Sequence, residues 1–388
     1  MRRLIISIST VCVLILIITE YLKCKESENR RNFSADSTIT VSISAVGDLM
    51  CHSPQFESAR VSADSFDFRP IFEIIKKYIS NSDFSFGNLE TVTAGKSKLY
   101  SGYPLFNAPD EFISAVKSSG FKLVTTSNNH ALDRGKSGLL RTISIIKSTG
   151  LYHTGTFNSQ KDRDSIRIYN IKGIKLGLLA YSYGTNGNPV PKEKTYLINL
   201  IDTVQIRKDI NSYRQNGADI VLVYFHFGIE YKRTPSDYQK IIVEKTIACG
   251  ADLIIGGHPH VIEPAFYFKT KKGKLDTGFA IYSMGNFISN QRWRYSDAGV
   301  ILNIFLTKNL NTGIISISKI TFLPTWVFKG KINNKESYEI LPAADTLNRF
   351  FINYMSINDK KKMLQSFDDT KNIMTTITHN ISVENIYP

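Results

Sequence analysis

Cysteine is scarce in this chain: four in 388 residues, at Cys12, Cys24, Cys51 and Cys249, with no CxxC pair. That spacing excludes a disulfide framework and a thiolate zinc site, and leaves the cysteines as small buried residues. Internal repeats and low-complexity blocks are also absent, which excludes a solenoid. Acidic residues are short, 34 against 48 basic ones, and the net charge is +14. No dense basic tract accounts for that excess, although Lys269–Lys274, Lys329–Lys335 and Lys360–Lys362 contribute to it. No nucleic-acid recognition motif accompanies the charge, so nucleic acid is not an expected partner. Two readings of the excess stay open: attraction to a polyanion or membrane surface, or solvated faces in a Lys-, Ile- and Asn-rich chain. With 42% hydrophobic and 21% charged residues, the chain has an ordinary globular composition, enough for one large core or a main domain with an appendage.

Arg2 and Arg3 precede an apolar run from Leu4 to Ile18 that continues to Leu22, the pattern of an export signal. No small-x-small cleavage site follows, and Tyr21-Leu22-Lys23 before Cys24 is a poor lipoprotein box. The uninterrupted run is shorter than the roughly 20 residues that span a bilayer comfortably. An uncleaved signal anchor is the preferred expectation over a cleaved peptide. In either case the rest of the chain is expected outside the cytoplasm, anchored to the cell membrane or else secreted or periplasmic. Residues 1–37 are thus assigned to a signal segment and tether, 38–328 to a main domain, and 329–388 to a partly helical C-terminal extension.

Within the main domain, apolar strands and amphipathic helices alternate, and hairpins dominate its end. Strands are predicted at Ile39–Ala45, Asp83–Phe86, Phe121–Thr125, Asp219–Phe225 and Leu253–Ile255, with hairpins at Ile166–Tyr181 and Ala265–Ser283. Further strands follow at Val300–Leu306 and Ile314–Phe322. Helices are predicted at Phe66–Ile79, Pro109–Ser118, Gly138–Lys147, Val204–Gln215, Pro235–Cys249 and Asn348–Phe367. This is a layered α/β sandwich rather than a purely doubly wound sheet.

The stretch from Gly250, GADLIIGGHPHVIEP, carries the functional argument. A buried strand stops at Gly256-Gly257 and delivers His258-Pro259-His260 to the sheet rim, where an α/β protein keeps its ligand site. Two imidazoles one proline apart in an extended segment can turn to one point, a metal-ligand pattern; two exposed or core-satisfied histidines are the alternative. Other predicted strand ends carry matching groups: Asp48, then Asn88 and Glu90, then Asn129 and His130, then His226. Core packing would account for one or two of these, but not for so many, and a shared metal or catalytic centre is expected.

Six segments occur in order: GDLM (Gly47–Met50), GNLET (Gly87–Thr91), NNHALDRG (Asn128–Gly135), HFGIEY (His226–Tyr231), GGHPHV (Gly256–Val261) and YSMGNF (Tyr282–Phe287). Together they resemble the CapA family of capsule-synthesis proteins, associated with poly-γ-glutamate production at the bacterial surface. That family is in turn similar to the calcineurin-like metallophosphoesterases, which implies a four-layer α/β/β/α sandwich and a centre holding one or two divalent ions (Mn, Zn or Mg). The resemblance implies Asp48, Glu90, Asn129, His226, His258 and His260 as metal ligands, and His130 as general acid or transition-state stabiliser, with Asp48 and Glu90 sharing in catalysis. It further implies a metal-dependent hydrolase working on an anionic extracellular polymer or its precursor, with a membrane polymer synthase as a partner. A secreted phosphoesterase acting on nucleotides or phosphorylated glycans, and a non-catalytic polymer-binding scaffold, are the alternatives.

Two departures stand out. The DxH of those enzymes reads Asp48-Leu49-Met50, and His52, two residues on, is read as an exposed loop histidine. Their GDxxD is replaced by GNLE, in which Asn88 is uncharged and Glu90 is longer. Without metal the two carboxylates would repel, and protonation of one would relieve the pair. Asn88, Arg134, Glu230 and Asn286 are candidates for substrate contact. Glu230 has a second reading as the residue that orients His226 and a third as a helix-start charge, Arg134 has one as part of a solvated loop, and Asn286 has one as a turn residue. His153 and His379 fall outside every motif and are expected to be structural or exposed.

Overall fold

The computed structural model describes residues 17–23, 25, 37–343, 353–376 and 378–384. Most of the apolar N-terminal run expected as a membrane segment lies outside the described residues. Among the described residues no helix is long and apolar enough to cross a membrane.

The strands, in chain order, are β1 (Thr38–Leu49), a small hairpin of β2 (Arg60–Ser62) and β3 (Ser65–Phe66), β4 (Phe84–Leu89), β5 (Leu123–Thr125), β6 (Tyr152–Thr154), β7 (Ile168–Ile171), β8 (Ile174–Ser182), β9 (Ile220–His226), β10 (Leu253–Gly257), β11 (Ala265–Lys269), β12 (Thr277–Ile281), β13 (Asn286–Ile288), β14 (Ala298–Asn309), β15 (Ile315–Ile332), β16 (Lys335–Pro342) and β17 (Ser382–Val383). They build two large sheets. The nine-stranded sheet runs β16-β15-β14-β1-β4-β5-β6, with β13 beside β1 and β17 beside β15, and the six-stranded sheet runs β11-β12-β10-β9-β8-β7.

Every residue of β9 and β10 is buried, which is why these segments read as continuous apolar runs with no polar alternation. One face of each sheet meets the other: Val41, Ile43 and Ala45 pack with Leu176, Leu178, Leu222 and Ile255. On the outer face of the nine-stranded sheet, Phe112 and Val116 of helix Asp110–Ser118 cover Val46 and Val124. On the outer face of the other, Ile206 and Ile210 of helix Thr203–Gln215 and Ile242 and Val243 of helix Asp237–Cys249 cover Val221 and Val223. The last helix is fixed at both ends by local chemistry. Ser236 and Gln239 form a reciprocal cap at its start, and Gly250 turns left-handed (φ 107°) at its end.

Three expectations need correction. The helix foreseen over Phe66–Ile79 is broken: Phe66 ends β3, and short helices span Arg69–Phe72 and Lys76–Ser80. Pro70 sits in the first turn of the former, where its missing N–H is harmless, but it cannot lie inside a longer helix. The helix foreseen over Asn348–Phe367 runs Ile357–Thr375 instead, started by Ser356 with Asp359 as its capping box; residues 348–352 lie outside the described residues. β15 passes residue 328 unbroken, and β16 pairs along it from Ile332↔Lys335 to Thr325↔Pro342, so the sheet continues into the segment assigned to the extension. The C-terminal helix is also bound to a loop near the strand ends: Asp369 accepts from Arg294 Nε and Nη2 at 2.9 and 2.8 Å, and its carbonyl accepts from Arg233 Nη2 at 2.9 Å.

Candidate metal centre

Strand register brings the polar groups together. β1 lies parallel to β4 and to β13, which sets Asp48 level with both Asn88 and Asn286. In the facing sheet β9 and β10 are parallel, with His226 level with Gly257, so the chain leaves β10 directly into His258. All these ends point the same way, because parallel strands present their carboxyl ends on one edge. Asp48, Asn88, Glu90, His226 and Asn286 are fully buried, and Asn129, His130, His258 and His260 are nearly so.

The packing at this edge tolerates little. A Cβ on Gly257 would sit 2.2 Å from Tyr224 Oη and 2.8 Å from Asp48 Oδ1, so only glycine lets Asp48 close against β10. His258 and His260 are not in an extended segment as expected. Both are left-handed, with φ of 97° and 59°, a conformation that costs non-glycine residues of order 1–3 kcal/mol and gathers at functional sites. Contacts from distant segments set it: Pro259 O accepts from Tyr231 N at 2.8 Å and His258 N donates to Asp48 Oδ2 at 3.3 Å, which folds the HPH turn over the strand ends.

Asn88 is the hub. Its Nδ2 donates to Asp48 Oδ1 (2.9 Å) and reaches Glu90 Oε2 (3.3 Å) and His226 Nδ1 (3.2 Å). Its Oδ1 accepts from Asn128 Nδ2 and Thr125 Oγ1. Asn88 therefore holds ligand-bearing side chains apart and faces no solvent. His226 Nε2 meets Asn129 Oδ1 at 2.9 Å, and Asn129 Nδ2 donates to Asn186 Oδ1. His260 Nδ1 lies 3.2 Å from Asp48 Oδ2 and 3.1 Å from Asn286 Oδ1. Asn286 in turn donates to Gln291 Oε1 and Ser296 O, so it too is a buried brace.

His130 has a partner that sequence reading overlooks. Its Nδ1 lies 2.7 Å from Asp133 Oδ2, and the edge of its ring meets Phe106 with centroids 4.7 Å apart. The signal was present as H-x-x-D inside NNHALDRG, a spacing that one turn of chain closes. Three other expectations are corrected. Glu230 is exposed and groups with His258 and His260; both nitrogens of His226 are already engaged by Asn88 and Asn129, so Glu230 does not orient that ring. Arg134 is turned to its own loops, donating to Phe106 O, Leu105 O and Ser101 Oγ, and does not reach the cluster. His52 caps helix Ser53–Ser58 and is half-buried rather than an exposed loop residue. His153 is buried and His379 exposed, both away from the cluster, and Cys51 and Cys249 are free and buried.

The electrostatics divide the carboxylates. Burial alone pushes Asp48 up, but the hydrogen bond and charge of His260, with help from His226 and the Asn88 amide, hold it below the usual carboxylate range. Burial and the Asp48 charge push Glu90 well above its ordinary value. Burial, then the neighbouring imidazoles, lower His226 well below its ordinary value and His258 to about 3. Neutral imidazoles offer the lone pairs that a cation needs.

Do these residues fit a divalent ion? Glu90 Oε1 and His258 Nδ1 are buried with no hydrogen-bond partner. Ligand atoms of Glu90, His226 and His258 fall within 4.8 Å of one another, as do those of Asp48, Glu90 and His260. Buried orphan acceptors are rare and costly. Acceptors converging on one point from carboxylate and imidazole form a donor set of the kind that zinc, manganese or iron accepts, so the fit is good.

The family model described as "Bacterial capsule synthesis protein PGA_cap" matches residues 42–291. The capsule biosynthesis protein CapA of Bacillus anthracis is 28% identical over 254 residues, 64% of this chain and 60% of that protein. The PGA biosynthesis protein CapA of Bacillus subtilis is 28% identical over 300 residues, 76% of this chain and 74% of that one. The chain thus spans less than two thirds of the Bacillus anthracis relative. Among solved structures, the calcineurin-like phosphoesterase YfkN of Bacillus subtilis shares a mixed α/β layout at TM-score 0.42 and 15% identity, covering 86% of this chain and 97% of that one. The NAD nucleotidase of Haemophilus influenzae does so at TM-score 0.44 and 13% identity, covering 91% and 65%. With its match over most of the main domain, this chain is a member of the CapA family of bacterial capsule synthesis proteins.

Proposed function

We propose that this chain is an extracytoplasmic hydrolase of capsule polymer synthesis, acting in the attachment, export or trimming of an anionic extracellular polymer or its precursor. The N-terminal apolar segment would hold it at the cell membrane beside a polymer synthase. The observation that carries the catalytic part is the convergence of buried acceptors, above all the orphaned Glu90 Oε1 and His258 Nδ1. In this reading Asp48, Glu90, Asn129, His226, His258 and His260 hold one or two divalent ions in a centre of metallophosphoesterase type. A bound ion supplies Lewis acidity, polarising a phosphoryl or carbonyl oxygen.

The side chains do the rest. Asn88 keeps the Asp48 and Glu90 carboxylates in register. His130 engages Asp133 through Nδ1, which leaves Nε2 to hand a proton to the departing oxygen. The left-handed turn at His258 and His260 sets both rings before anything binds, so no reorganisation is needed at the moment of reaction.

Elemental analysis of protein purified without chelators tests this reading, with Asp48→Ala and the double variant His258→Ala with His260→Ala as controls. Stoichiometric metal that both variants lose is expected. A metal-free wild type, together with full polymer-processing activity in the double variant, would overturn it. A second reading, a phosphoesterase of nucleotides or phosphorylated glycans, draws on the same donor set and the His130–Asp133 pair. Turnover of a panel of phosphomonoesters and diesters with Mn²⁺ or Zn²⁺ would favour it over the polymer.

A further inference from the structure

A second hollow lies at the opposite end of the strands from the metal centre. Between the edge strands β6 and β7 opens a groove of about 740 Å³, lined by Phe84, Ile168 and Tyr169, with Tyr152, Lys122 and Lys172 exposed along it. Phe84 opens β4, Lys122 stands just before β5 and Tyr152 opens β6, whereas Glu90 follows the end of β4. At about 3.3 Å per residue, the length of β4 puts the groove roughly 20 Å from Glu90.

The wall of the groove has two characters. Tyr169 sits between Phe84 and Tyr152, with ring centroids 5.2 and 5.0 Å away, and its Oη is buried with no hydrogen-bond partner among the described residues. A buried hydroxyl without a partner is uncommon, and beside a hollow it marks a place that a ligand's acceptor can fill. Cations stand next to these rings. Lys122 and Lys172 are exposed, Lys172 is steadied by Asp83 Oδ1 at 2.6 Å, and Arg167 is held by Asp162. The chain also enters the domain on this face. In the β7–β8 turn Gly173 O accepts from Lys308 Nζ at 2.8 Å, and Lys308 is level with Ile39, two residues after Ser37. Further lysines share the face: Lys271, Lys272 and Lys274 occupy the β11–β12 turn, where Lys274 pairs at 2.6 Å with Asp219, just before β9.

We propose that this groove docks the domain on a membrane by taking an anionic phospholipid. The lipid phosphate meets Lys122 and Lys172, Tyr169 Oη donates to one of its oxygens, and the glycerol and first methylenes lie on Tyr152 and Ile168. Tyrosines and lysines share such surfaces for a physical reason. A tyrosine keeps its ring at hydrocarbon level and its hydroxyl in the polar layer, while a lysine stem follows apolar surface and lifts its ammonium to the phosphates. A phospholipid sets an anion directly beside hydrocarbon, and this wall sets cations directly beside rings. The remaining lysines of the face add attraction to a negative surface. Docked so, the strand starts lie on the bilayer and the edge carrying His258 and His260 faces away from it. This inference rests on the membrane placement proposed above and not on the hydrolytic chemistry, and it adds which face of the domain meets the lipid.

The chain's two tryptophans make the orientation readable. Trp326 is fully buried, and Trp293 is exposed on the metal-centre edge, where it meets Tyr231, itself 6.1 Å from His260. Full-length protein in neutral maltoside micelles would be titrated with dihexanoyl phosphatidylglycerol, dihexanoyl phosphatidylcholine, glycerol phosphate and poly-γ-glutamate, following heat of binding. Phosphatidylglycerol should bind saturably, about ten-fold or more tighter than phosphatidylcholine or glycerol phosphate. Lys122→Glu and Tyr152→Ala, both at exposed positions, should each weaken it roughly ten-fold at an unchanged melting temperature. In vesicles of phosphatidylglycerol with brominated tails, Tyr152→Trp should add an emission that the bromine quenches, while Trp293 of the wild type stays bright. Glycerol phosphate binding as tightly as the lipid would overturn the inference, as would poly-γ-glutamate binding that Lys122→Glu abolishes. Lipid binding that both groove variants leave intact, or quenching of Trp293 as strong as that of Tyr152→Trp, would overturn it too. Recovery of the wild type in cell membranes decides the placement separately: membrane-bound protein with an idle groove sinks this inference alone, and protein free of membranes sinks both.

Discussion

The Asn88 Nδ2 atom donates to Asp48 Oδ1 at 2.9 Å and lies 3.3 Å from Glu90 Oε2, so one neutral amide stands between two buried carboxyl groups. Its orientation is fixed from behind by Asn128 and Thr125. Asn88→Asp would place a third acid where a donor is needed. The metal-free protein should lose about 2–4 kcal/mol, the cost of a buried charge or acceptor left without a donor. The metal-loaded protein should lose much less. Melting temperatures with and without EDTA should therefore lie further apart than in wild type, and an unchanged gap would count against a cation at these carboxylates.

Gly257 makes a sharper steric case. Gly257→Ala should cost about 1–3 kcal/mol from overpacking, because the new methyl would overlap Tyr224 Oη and press on Asp48. Metal affinity should drop at least as clearly as stability. Adding Tyr224→Phe removes the hydroxyl at the nearer contact and should recover part of both. Calorimetric unfolding and metal titration on the two variants would decide it, and additive losses would mean the contact is not the cause.

If Asp133 orients His130, Asp133→Asn should leave metal content alone while lowering kcat roughly 10- to 100-fold on any substrate the loaded protein turns over. KM should change little, since Asp133 Oδ2 is engaged by Phe106 N and His130 Nδ1. An equal loss of kcat and bound metal would show instead that the loop had collapsed.

Glu263, three residues beyond His260, supplies a pH prediction. Burial raises its carboxyl to about 8, against a hydrogen bond from Gln239 Nε2, and its Oε1 has no partner. The folded state holds this proton more tightly than the unfolded chain, so Glu263 penalises folding increasingly as pH rises from about 4.5 to about 8. His258, with its folded value lowered to about 3, acts with the opposite sign, costing stability as pH falls from about 6.5 to about 3. Glu263→Gln isolates the first effect. Its stability relative to wild type should grow across pH 5 to 8, by on the order of 3 kcal/mol. A difference independent of pH would mean that Glu263 is ionised in the folded protein.

The convergence of Asp48, Glu90, Asn129, His226, His258 and His260 was legible in the sequence because each stands at or just beyond the end of a strand, and buried strands announce themselves as unbroken apolar runs such as Ile220–Phe225. What lay hidden depends on contacts between distant segments. Nothing in Asn88 or Asn286 by itself distinguishes a residue that braces ligands from one that meets substrate; the register of β1 with β4 and β13 makes that difference. The left-handed turn at His258 and His260 is set by Tyr231 and Asp48, neither of them near in sequence. Glu230 could not be assigned to a particular imidazole, since the choice depends on what already occupies the nitrogens of His226. The end of β15 and all of β16 were missed because exposed edge strands alternate weakly, and Lys329, Lys331, Lys335 and Glu336 dilute the pattern.

The grip of Asp369 on Arg294 and Arg233 joins the chain's last long helix to the loop that carries Trp293. That helix contributes no ligand. Sequence drift in that helix would shift the Trp293 loop while leaving the buried cluster of Asp48, Glu90 and the histidines in place, so the two could change independently.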